Sequence, residues 1–255
     1  MKRELNLFFT ALRFYTRIPC PCGNDYPDDL SQSIRYFPLI GWIVGGIMTL
    51  VIYGLSFVFP DSVCILLSLA VGILITGAFH EDGFVDVCDG FGGGWTKEKI
   101  LAIMKDSRIG AYGVIAWVVL FALKLFTLLE LLHIDLLFCI KVLLLAQVIS
   151  RFSVVTMVFT HQYARTDSSS KAKSIANGNT IGNLLISVFW LLPFLWLFSD
   201  WRFAFILIPV YLTKMCLAQY FKKWIGGYTG ECLGATQQIT EVVSLLFCLG
   251  VYRFI

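Results

Sequence analysis

The sequence predicts an all-α integral membrane protein, a polytopic helical bundle with about seven transmembrane helices and a cytoplasmic amino terminus. Three observations lead to this prediction. Of the 255 residues, 58% are hydrophobic and only 15% are charged, whereas soluble domains have about 45–50% apolar and about 25% charged residues. The apolar residues form long runs, and the Lys and Arg residues are concentrated in alternate connections between those runs.

A membrane-spanning helix needs about 20 mostly apolar residues. Seven runs meet or approach this length: Phe37–Phe59, Ser62–Phe79, Ala111–Leu132, Leu136–Phe159, Leu184–Phe198, Phe203–Tyr220 and Gln237–Tyr252. The fifth is short and contains Pro193, so we expect it to tilt, to kink or to pair with the sixth as one re-entrant unit. The basic amphipathic segment 1–36 precedes these runs, and residues 1–255 are expected to form one membrane-embedded domain.

The distribution of Lys and Arg predicts the orientation. Fourteen lie in the amino-terminal segment and in the connections after the second, fourth and sixth runs, against Arg202 and Arg253 in the remaining ones. Cytoplasmic loops are enriched in these residues, so the long polar connections, including 80–110, are expected to face the cytoplasm. The expected location is a cell membrane, with these connections on its cytoplasmic side. A net charge of +3 gives no support to nucleic-acid binding.

The connection 80–110 begins with a dense group of acidic residues, Glu81, Asp82, Asp86 and Asp89. On a helix the three aspartates stand at positions i, i+4 and i+7 and share one face. Like charges repel, and an unpaired carboxylate in a membrane costs about 2.5–3.5 kcal/mol. A divalent cation would relieve both costs, so the pattern predicts that the three aspartates bind Mg²⁺, with Mn²⁺ as an alternative. A solvated acidic loop is disfavoured because the intervening residues are apolar.

A glycine run, Gly90–Gly94 with Phe91 inside it, follows the carboxylates. Glycines such as Gly92 and Gly93 let a backbone approach a ligand and direct N–H groups at an anion, so both are predicted to bind substrate. Thr96 is a suitable N-cap for a helix over Lys97–Met104, whose amino end would favour phosphate.

The end of that helix carries Lys105, Asp106, Ser107 and Arg108. We expect Lys105 and Arg108 to neutralise phosphate charge, Arg108 through a bidentate grip. Asp106 and Ser107 are expected beside the substrate, with Asp106 as a further metal ligand or an orienter of Arg108. The alternative is a solvated turn next to the membrane.

A second polar set lies between the last two runs, at 226–238, where Thr229 and Glu231 are candidate substrate-binding residues. The alternative is an ordinary flexible turn. Charged residues within the apolar runs must be paired, snorkelling or functional. Of these, Arg151 is expected to face the site, and contact between Arg165 and a ligand is left open.

Taken together, the motifs resemble the cobalamin synthase, or adenosylcobinamide-GDP ribazoletransferase, family. The resemblance extends over essentially the whole chain and is carried by four motifs: Leu12–Pro19, His80–Gly90 with the glycine run, Met104–Gly110 and Gly227–Gly230. One departure is Glu231, which stands where the family is expected to have Asp. The longer side chain displaces the carboxylate, which puts a ligand role for Glu231 in doubt.

The resemblance implies an Mg²⁺-dependent transferase of cobalamin (vitamin B12) biosynthesis, working among membrane lipids. Adenosylcobinamide-GDP would be joined to α-ribazole or α-ribazole 5′-phosphate, and GMP would be displaced from the diphosphate. The three aspartates would hold Mg²⁺ on the diphosphate, and Lys105 and Arg108 would balance charge on the phosphates. Asp82 or Glu81 would accept the proton of the attacking hydroxyl.

Three other classes fit less well. Asp86 and Asp89-Gly90 copy the opening of the CDP-alcohol phosphatidyltransferase signature, but Gly93-Gly94 replaces its Ala-Arg pair and its later aspartates are absent. Prenyltransferases usually carry two aspartate-rich motifs, and one is found here. A cation transporter would place carboxylates near the middle of spans. The sequence leaves open whether the protein forms a homo-oligomer, and Gly41–Gly46 would allow close helix packing.

Overall fold

The computed structural model describes residues 2–20, 30–165, 175–176, 180–198 and 200–254. Apart from one isolated β-bridge, the regular structure of these ranges is helical, which confirms the predicted all-α class. The helices are α1 (Lys2–Tyr15), α2 (Leu30–Ser33), α3 (Phe37–Leu55), α4 (Asp61–Thr76), α5 (Phe79–Gly93), α6 (Lys97–Ile103), α7 (Ala111–Ile134), α8 (Leu136–Thr160), α9 (Ile181–Phe189), α10 (Phe194–Leu197), α11 (Leu207–Ile225) and α12 (Gly230–Tyr252). Short 3₁₀ turns, Ile34–Tyr36 and Trp201–Ile206, lead into α3 and α11.

The described residues contain fewer long apolar helices than the seven predicted spans. Five are long and apolar enough to cross a membrane: Leu30–Leu55, α7, α8, Trp201–Ile225 and α12. A sixth is counted if α4 and α5 are taken together, although these two helices are bent by 89°. The chain is therefore a polytopic membrane protein, and the second and fifth predicted spans differ from single straight helices.

The bend between α4 and α5 is built from two residues in the left-handed conformation. Gly77 has φ 65° and Ala78 has φ 58°, a backbone geometry that glycine adopts easily and that commonly ends a helix. The predicted span Ser62–Phe79 therefore stops at Thr76. As a result the acidic residues lie on a separate helix, roughly perpendicular to the preceding span.

The fifth predicted span is a broken helix that runs alongside α3. At one end Arg35 Nε donates to Asn183 Oδ1 at 2.8 Å, and further along the rings of Trp42 and Phe194 stack at 4.5 Å. The helical path is interrupted between Phe189 and Phe194, in keeping with the kink expected near Pro193. Residues 181–198 thus traverse the bundle even though neither α9 nor α10 is long.

Two ends of the bundle can be distinguished. At the end called here the far end, Asp61 Oδ2 at the start of α4 lies 3.8 Å from His133 Nε2 near the end of α7. There too, Phe138 at the start of α8 contacts Phe203 before α11, at 5.6 Å, and Tyr252 at the end of α12, at 5.1 Å. The opposite end, called the site end, holds the end of α4, the end of α8 and the start of α12. In the described ranges, seven segments run between the two ends: α3, α4, α7, α8, α9–α10, α11 and α12.

Helices α3 and α8 pack closely because glycines face the partner helix. A β-carbon at Gly41 would lie 2.6 Å from the Gln147 carbonyl oxygen, and one at Gly45 would lie 3.2 Å from the Gln147 β-carbon. No such neighbour faces Gly46 among the described residues. The close packing expected of the Gly41–Gly46 stretch is confirmed, at the two positions that face α8.

Candidate active site

The acidic helix α5 is held against the start of α12 by two glycines. A β-carbon at Gly83 would lie 3.1 Å from the Glu231 carbonyl oxygen, and one at Gly234 would lie 3.0 Å from the His80 carbonyl oxygen. Any larger side chain would separate these helices by at least a few tenths of an ångström. The crossing brings the carboxylates of α5 beside Glu231, the first acidic residue of α12.

A cavity of about 420 Å³ opens at this crossing. Its charged lining consists of Asp82 and Asp86 from α5, Glu231 from α12, and Arg13 and Arg17 at the end of α1. Asp82 is exposed and Asp86 is half-buried. Carboxylates and guanidinium groups therefore share one solvent-connected space, an arrangement suited to a cation together with a multiply charged anion.

Asp86 experiences the strongest concentration of like charge in this region. Asp82, Glu231 and Asp89 all act on it as negative neighbours, and Arg165 acts as a positive one. Repulsion between carboxylates this close favours binding of a cation or a proton. The surroundings of Asp86 are thus those expected of a metal ligand.

Asp89 differs from the other two aspartates in its contacts. It is buried, its Oδ2 accepts the Gly110 N–H at 2.7 Å, and its Oδ1 accepts the Gly113 N–H at 2.8 Å. A β-carbon at either glycine would collide with the Asp89 carboxylate. Asp89 therefore neutralises the positive amino end of α7. The predicted triad is divided, since only Asp82 and Asp86 line the cavity.

Glu81 points into the bundle and does not line the cavity of Asp82 and Asp86. Its Oε1 accepts from Gln238 Nε2 at 3.0 Å, and Gln238 Oε1 in turn accepts from Lys124 Nζ at 2.7 Å. Lys124 pairs with Glu241 at 2.9 Å, and both side chains are almost fully buried. Glu241 lies on a helix more than a hundred positions along the chain, so sequence spacing alone does not pair it with Lys124.

Arg151 belongs to this same buried polar network. Its Nη1 donates to Gln147 Oε1 at 2.7 Å, and its guanidinium lies 5.7 Å from the centre of the Phe37 ring. With His80 and Glu81 it lines a small space of about 20 Å³, about the volume that one water molecule requires. Arg151 therefore lies beside Glu81 in the interior of the bundle, away from the cavity of Asp82 and Asp86, and a role for it in the site stays a prediction.

The glycine run has a packing role. Gly90–Gly93 forms the last turn of α5. A β-carbon at Gly92 would lie 2.5 Å from the Tyr112 ring, and one at Gly93 would lie 3.4 Å from Ile103 Cδ1. Neither glycine lines the cavity. Instead of forming an open phosphate-binding loop, the run lets α6 and the start of α7 approach α5.

The segment Lys105–Arg108 is an exposed connection between α6 and α7, outside the cavity lining. Arg108 Nη2 and Asp106 Oδ2 lie 2.6 Å apart, and hydrogen bonds from Arg108 lower the pKa of Asp106 to about 2. Asp106 therefore orients Arg108, one of the two roles predicted for it. Lys105 and Ser107 are exposed beside this pair. Phosphate binding by Lys105, Ser107 and Arg108 stays a prediction.

Thr229 is fully buried and caps α12. Its Oγ1 accepts the Cys232 N–H at 3.4 Å and is also 3.4 Å from the Cys232 sulfur. A threonine in this position satisfies a backbone donor at the helix start. The predicted substrate-binding residue thus contributes by fixing the first turn of α12, where Glu231 lies.

Glu231 is oriented by Arg165, with Glu231 Oε1 and Arg165 Nη1 2.9 Å apart. The connection that carries Arg165 is joined to the turn before α12, since Tyr228 N–H donates to Gln162 O at 3.0 Å and Ala164 N–H to Tyr228 O at 2.8 Å. Burial raises the pKa of the Tyr228 hydroxyl. The two backbone hydrogen bonds of Tyr228 hold the connection after α8 against the start of α12, which explains why Arg165 reaches the site.

Comparison with known proteins adds the family to this geometry. The cobalamin-5-phosphate synthase (CobS) family model matches residues 7–249. The chain belongs to the cobalamin-5-phosphate synthase family. A relative from Shewanella frigidimarina is 42% identical over 251 residues, which cover 98% of this chain and 96% of the relative. One from Shewanella woodyi is 40% identical and covers 98% of each chain. Both are named adenosylcobinamide-GDP ribazoletransferase. No solved structure matches the chain.

In this CobS-family chain, the side chains that line the cavity include carboxylates that could bind a divalent cation. In the described ranges, no group of three or more His, Cys, Asp or Glu side chains forms a ready-made metal site. Asp82, Asp86 and Glu231 nevertheless line one cavity, and carboxylate oxygens are the ligands that Mg²⁺ prefers. Because Mg²⁺ commonly binds through one or two carboxylates plus substrate phosphates, these donors fit a cation that arrives with its substrate.

The sequence analysis missed Arg13 and Arg17 as site residues. They lie four positions apart in the amino-terminal motif that carries the family resemblance. Their spacing was a usable signal. It was masked because the segment also fits an amphipathic helix at the membrane surface.

Proposed function

We propose that this protein is an adenosylcobinamide-GDP ribazoletransferase, which joins adenosylcobinamide-GDP to α-ribazole or α-ribazole 5′-phosphate and releases GMP. The observation that carries the proposal is the cavity at the site end, where Asp82 and Asp86 face the same space as two arginines. Membership of the CobS family and the names of the relatives support the same reaction.

The transfer is a displacement at phosphorus. A ribose hydroxyl oxygen of α-ribazole, or of α-ribazole 5′-phosphate, forms a bond to the phosphorus on the cobinamide side of the diphosphate. The bond between that phosphorus and the bridging oxygen breaks, and GMP leaves with the bridging oxygen. The proton of that hydroxyl passes to a carboxylate of the cavity. The exposed Asp82 is the carboxylate we assign to this step.

We propose Mg²⁺ as the cofactor, with Mn²⁺ as an alternative, bound through Asp82 and Asp86. Such a cation would neutralise the diphosphate and the departing GMP. Glu231, held by Arg165, would add negative charge beside the cation. Asp89 acts indirectly in this scheme, because its carboxylate fixes the start of α7 behind the cavity.

We also propose that the protein lies in the bacterial cytoplasmic membrane with the site end facing the cytoplasm. The support is the excess of Lys and Arg in the connections of that end. Cytoplasmic substrates would then reach the cavity without crossing the membrane. Its neighbours would be membrane lipids, and no feature of the described residues points to nucleic acid.

The test uses the full chain, purified and reconstituted in liposomes, with adenosylcobinamide-GDP, α-ribazole and Mg²⁺. We expect cobalamin and GMP in equal amounts, and EDTA should abolish both products. With α-ribazole 5′-phosphate the products should be cobalamin 5′-phosphate and GMP. Absence of GMP with both acceptors would contradict the proposal, and release of CMP from CDP-linked lipids would favour a phosphatidyltransferase instead.

A further inference from the structure

The end of α1 supplies two cations to the cavity, and they come from a different helix than the carboxylates. Arg13 and Arg17 both line the space that Asp82 and Asp86 line. The helical turn continues past Tyr15, because Thr16 N–H donates to Leu12 O at 3.0 Å. Arg17 follows this turn, and both side chains face the same space because both line the cavity. The cavity therefore has an arginine pair from α1 as well as carboxylates from α5.

The end of α1 is fixed to α3, to α4 and to α5, the helix that carries Asp82 and Asp86. Arg17 N–H donates to Ile75 O at 2.6 Å, in the last turn of α4. The Tyr15 ring stacks on Phe37 at 4.0 Å, and Phe14 meets Phe79, the first residue of α5, at 5.4 Å. These contacts hold the arginines at a set position relative to α5. The packing of α1 against α3, α4 and α5 thus fixes where the two arginines enter the cavity.

Gly77 is required by the path of the Arg17 side chain. A β-carbon at Gly77 would lie 3.1 Å from Arg17 Cγ and 3.3 Å from Arg17 Cδ, and it would collide with Nε. Gly77 also has φ 65°, where other residues are strained. The backbone that turns α4 into α5 therefore also provides the space across which Arg17 reaches the cavity.

The cavity presents charges of both signs to a metal–diphosphate complex. Asp82, Asp86 and Glu231 bring negative charge, Arg13 and Arg17 bring positive charge, and Arg165 pairs with Glu231. A diphosphate diester is doubly negative and Mg²⁺ is doubly positive, so their complex adds no net charge. In the described ranges no ion pair joins Arg17 to Asp82 or Asp86. The opposite charges are therefore arranged to act on a ligand between them.

We propose that Arg13 and Arg17 bind the diphosphate of adenosylcobinamide-GDP, and that Asp82 and Asp86 act on the cation and on the acceptor. This inference rests on the proposed function and assigns one part of its site. Guanidinium groups bind phosphate oxygens through planar, paired hydrogen bonds, which a lysine does not reproduce. The phosphate-binding residues of the reaction are then on the amino-terminal helix.

The experiment compares Arg13→Met, Arg17→Met and Arg17→Lys in the liposome assay, with Arg253→Met as a matched control. Arg253 is exposed at the end of α12 and outside the cavity. We expect each methionine variant to raise KM for adenosylcobinamide-GDP about tenfold or more, and Arg17→Lys to restore part of the loss. Competition by Mg²⁺–pyrophosphate should weaken by a similar factor. Competition by adenosylcobinamide, which has no diphosphate, should be unchanged.

Direct binding of radiolabelled pyrophosphate with Mg²⁺ separates this inference from the proposed function. Weaker pyrophosphate binding in the two methionine variants, with Arg253→Met unaffected, would support the arginine assignment even if turnover required other substrates. Unchanged pyrophosphate binding in both variants would overturn it. Equal loss of adenosylcobinamide competition would also overturn it, because that result indicates a distorted cavity. An inactive wild-type protein that still binds pyrophosphate through Arg17 would contradict only the proposed function.

Discussion

At the scale of single residues, the surroundings of each carboxylate on α5 determine what that carboxylate can do. Asp82 and Asp86 face the cavity, Asp89 accepts two backbone N–H groups of α7, and Glu81 accepts from Gln238 inside the bundle. Helical spacing correctly predicted that the three aspartates lie on one helix. It could not separate their roles, because those roles depend on residues that α7 and α12 supply.

Replacing Asp86 by Asn tests the cavity carboxylates. Asparagine has nearly the same shape and removes the negative charge, so we expect transfer activity to fall by about a hundredfold or more. Thermal unfolding should be unchanged or slightly improved, because Asp82, Glu231 and Asp89 would repel one negative charge fewer. GMP release and thermal unfolding of the same preparation provide the measurement. If the variant turned over normally at every Mg²⁺ concentration, low as well as high, this position would not be a metal ligand.

Asp89→Asn should lower the stability of the protein, whereas Asp86→Asn should mainly lower its activity. Both Asp89 oxygens accept backbone N–H groups, and an amide would direct an NH₂ group at one of these donors. We expect a loss of about 1–3 kcal/mol in the free energy of unfolding, from one unsatisfied buried donor. The measurement is unfolding in detergent with Asp86→Asn as control. Equal stability of the two variants would contradict the capping role of Asp89.

At the scale of whole elements, hydropathy predicted the long helices closely and failed where the backbone turns sharply. Runs Ala111–Leu132 and Leu136–Phe159 correspond to α7 and α8 within two residues. Thr96 caps α6 as predicted, accepting the Lys99 N–H at 3.3 Å. The break at Gly77 and Ala78 was missed, because left-handed backbone geometry has no signature in apolar periodicity.

The packing role of the glycine run was missed for a related reason. Its composition suits an open loop, but in the fold Gly90–Gly93 continues α5 because α6 and Tyr112 pack directly against it. Glycine permits both a ligand-binding loop and a close helix contact. Only the neighbouring helix decides between them, and the sequence of the run does not contain that neighbour.

The crossing of α5 and α12 can be tested with Gly83→Leu. The β-carbon alone would lie 3.1 Å from Glu231 O and 3.4 Å from the Gly234 α-carbon, so a leucine must push the helices apart. We expect a loss of about 1–3 kcal/mol in stability and a severe loss of activity, since Glu231 moves away from Asp82. Gly250→Leu on α12 is the control, because no atom of the described residues outside its own helix backbone lies within 4 Å of a β-carbon there. Equal behaviour of the two variants would show that this close crossing is dispensable.

At the scale of the whole molecule, the shared cavity constrains how many times the chain crosses the bundle. Asp82 follows α4 and Glu231 begins α12, and both line the same space. Between them the chain passes along α7, α8, the broken α9–α10 segment and α11. Four passes return the chain to the same side, whereas three would not. The broken segment must therefore count as a crossing, although it is too short to be recognised by length.

This parity predicts the accessibility of single cysteines introduced into the chain. Ser107→Cys lies at the site end, Phe57→Cys in the far-end turn between α3 and α4, and Trp201→Cys before α11; all three positions are exposed. When a membrane-impermeant maleimide is added to inside-out vesicles, only Ser107→Cys should be labelled more than the unmodified protein. When it is added to right-side-out vesicles, Phe57→Cys and Trp201→Cys should be labelled more than the unmodified protein. Labelling of Trp201→Cys from the same side as Ser107→Cys would mean that residues 181–198 re-enter on the cytoplasmic side. Glu231 and Asp82 would then lie on opposite faces of the membrane, which a single cavity lined by both does not permit.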